Sequence, residues 1–294
     1  MLIHGQTNGS LPSRVVVMGA GGFVGGAVVR RLEALAVPVL ALTRADVDLL
    51  GPGGAETLAA ALRPEDSFVA ASALAPVKNV DMLRDNMTML GAMIQALRLR
   101  PVAHILNIGS DAVFCDQLAP LTEESQKAPL ALHGVMHLAR EVAFAELALP
   151  VATLRPTLIY GTNDPHNGYG PNRFRRQAAE DQDIVLFGEG EERRDHVLIN
   201  DVADLAARIL LNRSTGSLNA ATGAVWSFRE VASMVVSLFD RPVAVKGSPR
   251  SGSMPHNGWR PFDPAATQTA FPDFRYTPLP EGLAKVHAET RSAA

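Results

Sequence analysis

Val15-Val16-Val17-Met18-Gly19-Ala20-Gly21-Gly22-Phe23-Val24-Gly25 is the stretch that decides the fold of this 294-residue chain. A continuous apolar run, typical of a strand buried on both faces, leads directly into glycines and then into a helical stretch. The spacing Gly19-x-x-Gly22-x-x-Gly25 allows a tight turn, close approach of a phosphate, and close packing of helix on strand. We therefore predict a dinucleotide site over residues 15–44, with phosphates at the start of the helix. Its candidate cofactor-binding residues are Gly19, Gly22, Phe23, Val24 and Gly25.

The end of the second predicted strand indicates which dinucleotide is bound. NAD binders place an acidic residue there, which accepts a hydrogen bond from the 2′-hydroxyl of the ribose. This chain has Thr43-Arg44 instead, and the guanidinium of Arg44 suits a 2′-phosphate. The sequence therefore favours NADP(H) over NAD(H). The alternative is that Arg44 is only a solvated surface residue.

The first half of the chain alternates apolar strands with helices as far as Tyr160. This alternation predicts a doubly wound α/β (Rossmann) fold, in which helices cover both faces of a parallel sheet. After Tyr160 the elements become shorter, and residues 161–172 are rich in Gly, Pro, Asn and Asp, as loops are. We expect a flexible tail over residues 1–13 and a dinucleotide-binding domain over residues 14–160, to which residues 196–222 return. Residues 161–195 and 223–294 are expected to form a smaller C-terminal substrate-binding lobe.

Composition and charge narrow the class of partner. The formal net charge of -3 gives no electrostatic reason to expect nucleic acid or an acidic membrane as a partner. No uncharged apolar run reaches the ~20 residues that span a bilayer, and the first residues carry no signal pattern. The single cysteine, Cys115, forms neither an internal disulfide nor a cysteine metal cluster, and we expect an ordinary thiol. These features predict a cytoplasmic protein that binds neither nucleic acid nor membrane.

Three further segments follow the glycine loop in a familiar order. They are Ile108-Gly109-Ser110-Asp111-Ala112-Val113-Phe114, Arg155-Pro156-Thr157-Leu158-Ile159-Tyr160-Gly161 and Arg194-Asp195-His196-Val197-Leu198-Ile199-Asn200-Asp201-Val202-Ala203. As an ordered set over residues 14–290, these motifs resemble the extended short-chain dehydrogenase/reductase family of nucleotide-sugar epimerases, dehydratases and reductases. Thr43-Arg44 and the Ser-Asp-x-Val-Phe segment are most similar to the branch that contains the dTDP-4-dehydrorhamnose reductases.

This resemblance implies an activity and a set of roles. It implies an NAD(P)-dependent oxidoreductase or epimerase that acts on a nucleotide sugar or a related carbonyl or hydroxyl compound. It also implies a homodimer formed through the helices predicted at Met82–Arg98 and Leu130–Leu147. The implied site residues are Ser110 at the reacting sugar oxygen, Asp48 and Leu49 near the adenine, Ala71 and Ser72 beside the cofactor, Arg194 and Arg260 at the substrate phosphates, and Asn172 at the substrate border. Tyr160 is expected to pack rather than to catalyse.

The chain departs from the family at the catalytic signature, Tyr-x-x-x-Lys. The corresponding helix reads His133-Gly134-Val135-Met136-His137-Leu138-Ala139-Arg140-Glu141, so His133 occupies the tyrosine position and His137 the lysine position. In the family, the tyrosine exchanges a proton with the substrate oxygen. The lysine lowers the pKa of that tyrosine and binds the nicotinamide ribose. An imidazole can also exchange a proton, but it does not supply the permanent charge of a lysine.

Three interpretations of this departure follow. In the first, which we favour, His133 replaces the tyrosine as acid and base, with Ser110 orienting the substrate. In the second, the site binds cofactor but has lost its redox chemistry, which leaves a sensor or a scaffold. In the third, His133, His137 and Glu141 hold a metal ion, because residues i, i+4 and i+8 lie along one helix face. Since the family context already explains this helix, we expect no metal.

Overall fold

Six parallel strands form the main sheet of the computed structural model, which describes residues 1–6 and 11–293. They are β1 (Val15–Met18), β2 (Val39–Leu42), β3 (Ser67–Ala70), β4 (His104–Ile108), β5 (Val151–Pro156) and β9 (Gly216–Ala220). Their order across the sheet is β2-β1-β3-β4-β5-β9. Strand β2 pairs with one side of β1, and the chain then crosses back so that β3 pairs with the other side of β1. This reversal opens a crevice at the carboxyl ends of β1 and β3, where open α/β sheets bind ligands.

Helices cover both faces of this sheet. They are α1 (Phe23–Ala34) and α6 (Ile199–Leu211) on one face, and α2 (Gly54–Ala61), α3 (Val80–Leu99) and α4 (Leu132–Ala145) on the other. Val15 and Val17 of β1 pack towards the first pair of helices, whereas Val16 and Met18 pack towards the second group. The unbroken apolar run of β1 is thereby explained, since alternate side chains enter two different cores. The predicted doubly wound α/β fold is confirmed.

Shorter elements after β5 build a second, smaller unit. They are β6 (Leu158–Tyr160), α5 (Pro171–Ala179), β7 (Ile184–Phe187), β8 (Arg193–Leu198), β10 (Val225–Ser227), α7 (Phe228–Val236), β11 (Val245–Ser248), β12 (Trp259–Arg260) and α9 (Leu279–Ala293), whereas α8 (Ala265–Ala270) packs against the core of the main sheet. Strand β8 pairs with β6, β10 and β12, and β7 pairs with β11. Phe174, Val231 and Leu283 belong to a separate apolar core within this unit. Over the described residues, no helix has both the length and the apolar character needed to cross a membrane.

The first six residues are docked, although the sequence predicts a flexible tail over residues 1–13. Ile3 pairs with Thr215 in an antiparallel bridge directly before β9. The imidazole of His4 lies 2.8 Å from the hydroxyl of Ser214 and 2.9 Å from the carbonyl oxygen of Ala270. These contacts fix residues 1–6 beside the last strand of the main sheet. Residues 7–10 of the predicted tail lie outside the described part of the chain.

Candidate functional site

The glycine loop lies at the crevice between β1 and β3. Helix α1 begins at Phe23 with Gly22 as its N-cap residue, and among the described residues no side chain caps it. The first bond of the helix runs from the N–H of Gly26 to the carbonyl of Gly22, at 2.9 Å. The preceding N–H groups of the first turn are therefore available to a phosphate. Residues 22–25 line a cavity, so these groups border open space.

Gly25 is held tightly against this loop. A Cβ atom at Gly25 would lie 2.1 Å from the carbonyl oxygen of Gly19. We therefore expect Gly25→Ala to push α1 away from the loop and to lower the free energy of unfolding by about 1–3 kcal/mol. Gly21→Ala is the matched control, because its added methyl group would meet only a side-chain carbon of Thr43, at 3.7 Å. Urea unfolding of the two variants measures the difference, and equal stabilities would refute this packing argument.

The first of two adjoining cavities has a volume of about 440 Å³. The sequence-predicted cofactor residues on its walls are Gly19, Gly22, Arg44, Asp48, Leu49, Ala71 and Ser72. The side chain of Arg44 is 76% exposed, and its Nε lies 3.5 Å from Oδ1 of Asp48. Asp46 instead turns back to accept hydrogen bonds from the N–H and the hydroxyl of Thr43. Asp46 is therefore not among the described residues that line this cavity, and Arg44 is the charged group at the strand end.

The second cavity has a volume of about 510 Å³. The sequence-predicted residues on its walls are Gly22, Phe23, Val24, Gly25, Ala71, Ser110, His133, His137, Asn172 and Arg194. Gly22 and Ala71 line both cavities, so the two are contiguous. The structure thus brings the glycine loop, the histidine pair and the candidate substrate residues to one elongated space.

His133 and His137 lie in the first two turns of α4. Their rings meet edge to face, with centroids 4.7 Å apart. The backbone N–H of Val77 points at Nδ1 of His133 from 3.5 Å, a long contact that does not fix which ring nitrogen carries the proton. Burial lowers the pKa of His133, although the charge of Asp111 opposes this. Burial also lowers the pKa of His137 well below its ordinary value, so both rings are uncharged at neutral pH.

Close packing brings α4 to the turn that carries Ser110. A Cβ atom at Gly134 would lie 2.1 Å from the carbonyl oxygen of Ala112, so only glycine permits this approach. The turn itself is a short 3-10 helix over Asp111–Val113, and the hydroxyl of Ser110 accepts the N–H of Ala112 at 3.2 Å. This packing holds the hydroxyl of Ser110 and the imidazole of His133 on the same cavity.

Asp111 is a site residue for which sequence reasoning assigned no role. It lines the second cavity. The hydroxyl of Ser110 donates to its Oδ1 at 3.4 Å, and Oδ2 lies 3.3 Å from Nε of Arg260 and 3.7 Å from a terminal nitrogen of Arg194. The only sequence signal was its place next to Ser110 in the motif. Asp111 connects the candidate catalytic serine to both candidate phosphate-binding arginines.

The two arginines are placed differently. Arg194 lines the cavity, with NH1 3.3 Å from a carboxylate oxygen of Glu192. Arg260 is 2% exposed, and its NH2 donates to the carbonyl oxygens of Asp111 and Phe114, at 2.8 and 3.2 Å. Its NH1 pairs with Asp116. The sequence predicted Arg260 at the substrate phosphates. Its guanidinium is instead buried, and it donates to the turn that carries Asp111 and Phe114.

Asn172 holds together the loop that borders the cavity. Its side-chain oxygen accepts the N–H of Gly161 at 3.0 Å, and its amide nitrogen donates to Oδ2 of Asp164 at 2.9 Å. Because Asn172 is also the second residue of α5, it joins both ends of the 161–172 loop. Asn172 lines the cavity as predicted, but the hydrogen bonds of its side chain stabilise the conformation of the loop.

Glu141 does not complete a metal site with the histidines. Its carboxylate accepts two hydrogen bonds from Arg155, at 2.7 and 2.9 Å, and lies 3.1 Å from the ammonium of Lys127. Within the described part of the chain, no group of three or more His, Cys, Asp or Glu residues could hold a metal ion. The interpretation of His133, His137 and Glu141 as metal ligands is therefore wrong, since two cations already occupy the carboxylate.

Known proteins resemble this chain in sequence and in fold. The family model for the NAD dependent epimerase/dehydratase family matches residues 15–221. The chain is 25% identical over 278 residues to a dTDP-4-dehydro-6-deoxy-D-allose reductase of Streptomyces bikiniensis, covering 80% of this chain and 84% of that protein. Its fold is similar to a UDP-glucose 4-epimerase of Thermotoga maritima, solved with UDP-glucose, with a TM-score of 0.83, 17% identity and coverage of 95% and 99%. A UDP-glucose 4-epimerase of Thermus thermophilus, solved with NAD, gives a TM-score of 0.83, 21% identity and coverage of 96% and 100%.

Proposed function

The chain belongs to the NAD-dependent epimerase/dehydratase family, and on that basis we propose that it oxidises, reduces or epimerises a nucleotide sugar, with His133 in place of the family's tyrosine. One observation carries the proposal. Ser110, His133 and the first turn of α1 line the same cavity. A cofactor whose phosphates lie on that turn and a substrate beside Ser110 would share this space.

The residues present fit a nicotinamide dinucleotide. The uncapped first turn of α1 suits the pyrophosphate, and the cavity with Asp48 and Leu49 suits the adenosine half. His137 lines the second cavity at the family's lysine position, where its ring would donate to or accept from a ribose hydroxyl. When bound, the cofactor supplies the hydride acceptor or donor. NADP(H) is favoured because Arg44, not an acid, stands at the end of β2.

Arg44→Gln tests this cofactor preference. A 2′-phosphate would gain charge-assisted hydrogen bonds from the Arg44 guanidinium, which NADH has no group to use. Because Arg44 is largely exposed, we expect a modest loss, with the Kd of NADPH raised about tenfold and that of NADH unchanged. Fluorescence titration measures both constants. Arg63→Gln, which removes an exposed arginine that lines neither cavity, serves as the control. Equal changes for the two cofactors would exclude a role for Arg44 in the preference.

We assign proton transfer to His133 because its ring lines the cavity that Ser110 also lines. Its uncharged ring takes the proton of a substrate hydroxyl as the adjoining carbon loses a hydride, and it returns the proton when the carbonyl is reduced. Ser110 donates its one hydroxyl proton to the same substrate oxygen, and this bond replaces the long 3.4 Å contact of that hydroxyl with Oδ1 of Asp111. Arg194 supplies a cation for the substrate phosphates, at the expense of its 3.3 Å contact with Glu192.

Incubation of the purified protein with oxidised or reduced NADP or NAD and a panel of UDP-, dTDP- and GDP-sugars in hydroxyl and carbonyl forms tests the proposed function. Absorbance of the reduced nicotinamide detects net oxidation or reduction, and NMR of the sugar detects epimers formed without net redox change. Conversion of one of these sugars supports the proposal. Tight binding of NADPH without conversion of any of them would favour the non-catalytic sensor or scaffold.

We also infer a homodimer in which α4 lies at the interface. Val135 and Val142 are 40% and 57% exposed, and they stand two turns apart on one face of α4. An apolar stripe on the outer face of a helix is typical of a contact with a second chain. Light scattering of the wild type and of Val142→Asp measures the mass. A monomeric wild type would disprove the inference.

A further inference from the structure

A fully buried arginine follows His137 by three residues on α4. Arg140 is 1% exposed, and each of its three side-chain nitrogens donates to a neutral acceptor. Nε donates to Oδ1 of Asn107 at 3.2 Å, NH1 to the carbonyl of Ser72 at 2.9 Å, and NH2 to the carbonyl of Ala70 at 2.7 Å. Among the described residues no carboxylate forms an ion pair with it. A buried cation without a counter-charge is destabilising, so its presence calls for an explanation beyond packing.

The position of this cation relative to the site is informative. Ala70 and Ser72 flank Ala71, which lines both cavities. The guanidinium therefore lies directly behind the strand end that borders the expected cofactor. Burial lowers the pKa of Arg140 to about 10, so the group keeps its charge at neutral pH.

The surroundings of His137 disfavour a charged ring. Its Nδ1 is buried and has no hydrogen-bond partner among the described residues. A second ring proton would leave an N–H without an acceptor in the interior, next to the positive charge of Arg140. The neutral form of His137 needs no such acceptor.

Other charged or titratable groups also lie near His133 and His137. Asp111 and His166 act on His133 from across the cavity. The Asp111 charge is partly offset by Arg260, at 3.3 Å, and Arg194, at 3.7 Å. The charge of Arg140, by contrast, meets the ring of Phe144, 5.8 Å away, but no carboxylate among the residues that the structure describes.

We propose that Arg140 is a positioning residue that supplies, from behind the strand end, the permanent positive charge that the family's lysine supplies at the position of His137. Its charge adds to burial in keeping the ring of His137 uncharged, and it fixes the strand end through the Ala70 and Ser72 carbonyls. The proposal rests on the proposed function in one respect, namely that His137 stands at the lysine position beside the His133 that exchanges the proton.

NMR titration of the imidazole C–H resonances in the whole protein tests this proposal without requiring turnover. In Arg140→Gln we expect the midpoint of His137 to rise by about one pH unit, because a nearby positive charge is lost. In Arg140→Lys, which keeps the charge, the midpoint should stay near that of the wild type. His104 is the internal control, because it is fully buried on β4 but lies under the charge of Arg213 rather than Arg140.

An unchanged His137 midpoint in Arg140→Gln would overturn the proposal, and so would an equal shift of the His104 midpoint. Should Arg140→Gln not fold, Asn107→Asp provides the second variant, because it places a carboxylate on Nε of Arg140 without changing the shape of the side chain. In that variant the His137 midpoint is expected to rise in the same way, and the absence of this rise would also overturn the proposal. A shifted His137 midpoint in a protein that converts no nucleotide sugar would instead refute the proposed function and leave the role of Arg140 standing.

Discussion

His133→Phe is expected to lower kcat by about 10²–10⁴-fold, because it removes the group that exchanges a proton with the substrate. Phenylalanine retains a planar ring that can keep the edge-to-face contact with His137. Neither the glycine loop nor the wall near Arg44 changes, so the Kd of NADPH should stay near the wild-type value. Steady-state kinetics and fluorescence titration separate the two effects.

A second histidine on the same cavity provides the control for this prediction. His166 also lines the second cavity, but it is exposed and belongs to the 161–172 loop rather than to α4. His166→Phe should therefore lower kcat by less than about tenfold. Wild-type turnover in His133→Phe would show that another group carries the proton, and the first interpretation of the histidine pair would then be abandoned.

The pH dependence of the wild type gives an independent measure of His133. Burial lowers the pKa of this ring below its ordinary value of about 6.5. When the substrate is oxidised the neutral ring accepts the proton, so kcat/KM should rise with pH through a midpoint below 6.5 and then remain level. In His133→Phe this acid limb should disappear from the residual rate. A midpoint well above neutrality would indicate a different base.

The features that could be predicted from the sequence are those encoded locally. The strand–glycine–helix order of residues 15–35 needs only neighbouring residues, and so does the apolar stripe of α3. The short elements of the second unit are different. Strand β12 has two residues and β10 has three, which is too few for a hydrophobic period to be visible. The loop predicted over residues 161–172 overlaps the first two residues of α5, although Pro171 is well suited to the first turn of a helix.

Two site residues could not be predicted because their partners are distant in sequence. Asp111 meets Arg260 across 149 residues, and Arg140 meets Ala70 across 70. No spacing rule connects such pairs, since only the sheet order brings β3 and β4 beneath α4. Sequence reasoning therefore found the histidines that replace the signature, whereas the charges that act on them became visible only in the fold.

The same reasoning about buried charge predicts a large loss of stability from Glu141→Leu. Arg155 is 1% exposed, and Glu141 accepts hydrogen bonds from its Nε and NH2 at 2.7 and 2.9 Å. Leucine has a similar volume but removes the counter-charge, which leaves the guanidinium uncompensated beside the ring of Phe114. We expect the free energy of unfolding to fall by about 3–5 kcal/mol. Urea unfolding followed by circular dichroism measures it.

Two further variants separate the charge of this pair from its packing. Lys127 also reaches Glu141, at 3.1 Å, but its side chain is 36% exposed, so Lys127→Met should cost less than about 1 kcal/mol. The double variant Glu141→Leu/Arg155→Met replaces both charges by apolar groups and should recover most of the loss. If the double variant is no more stable than Glu141→Leu, the loss comes from packing between α4 and β5 and not from an unpaired charge. Recovery with intact NADPH binding would show that the pair supports α4, and through it His137, without taking part in the chemistry.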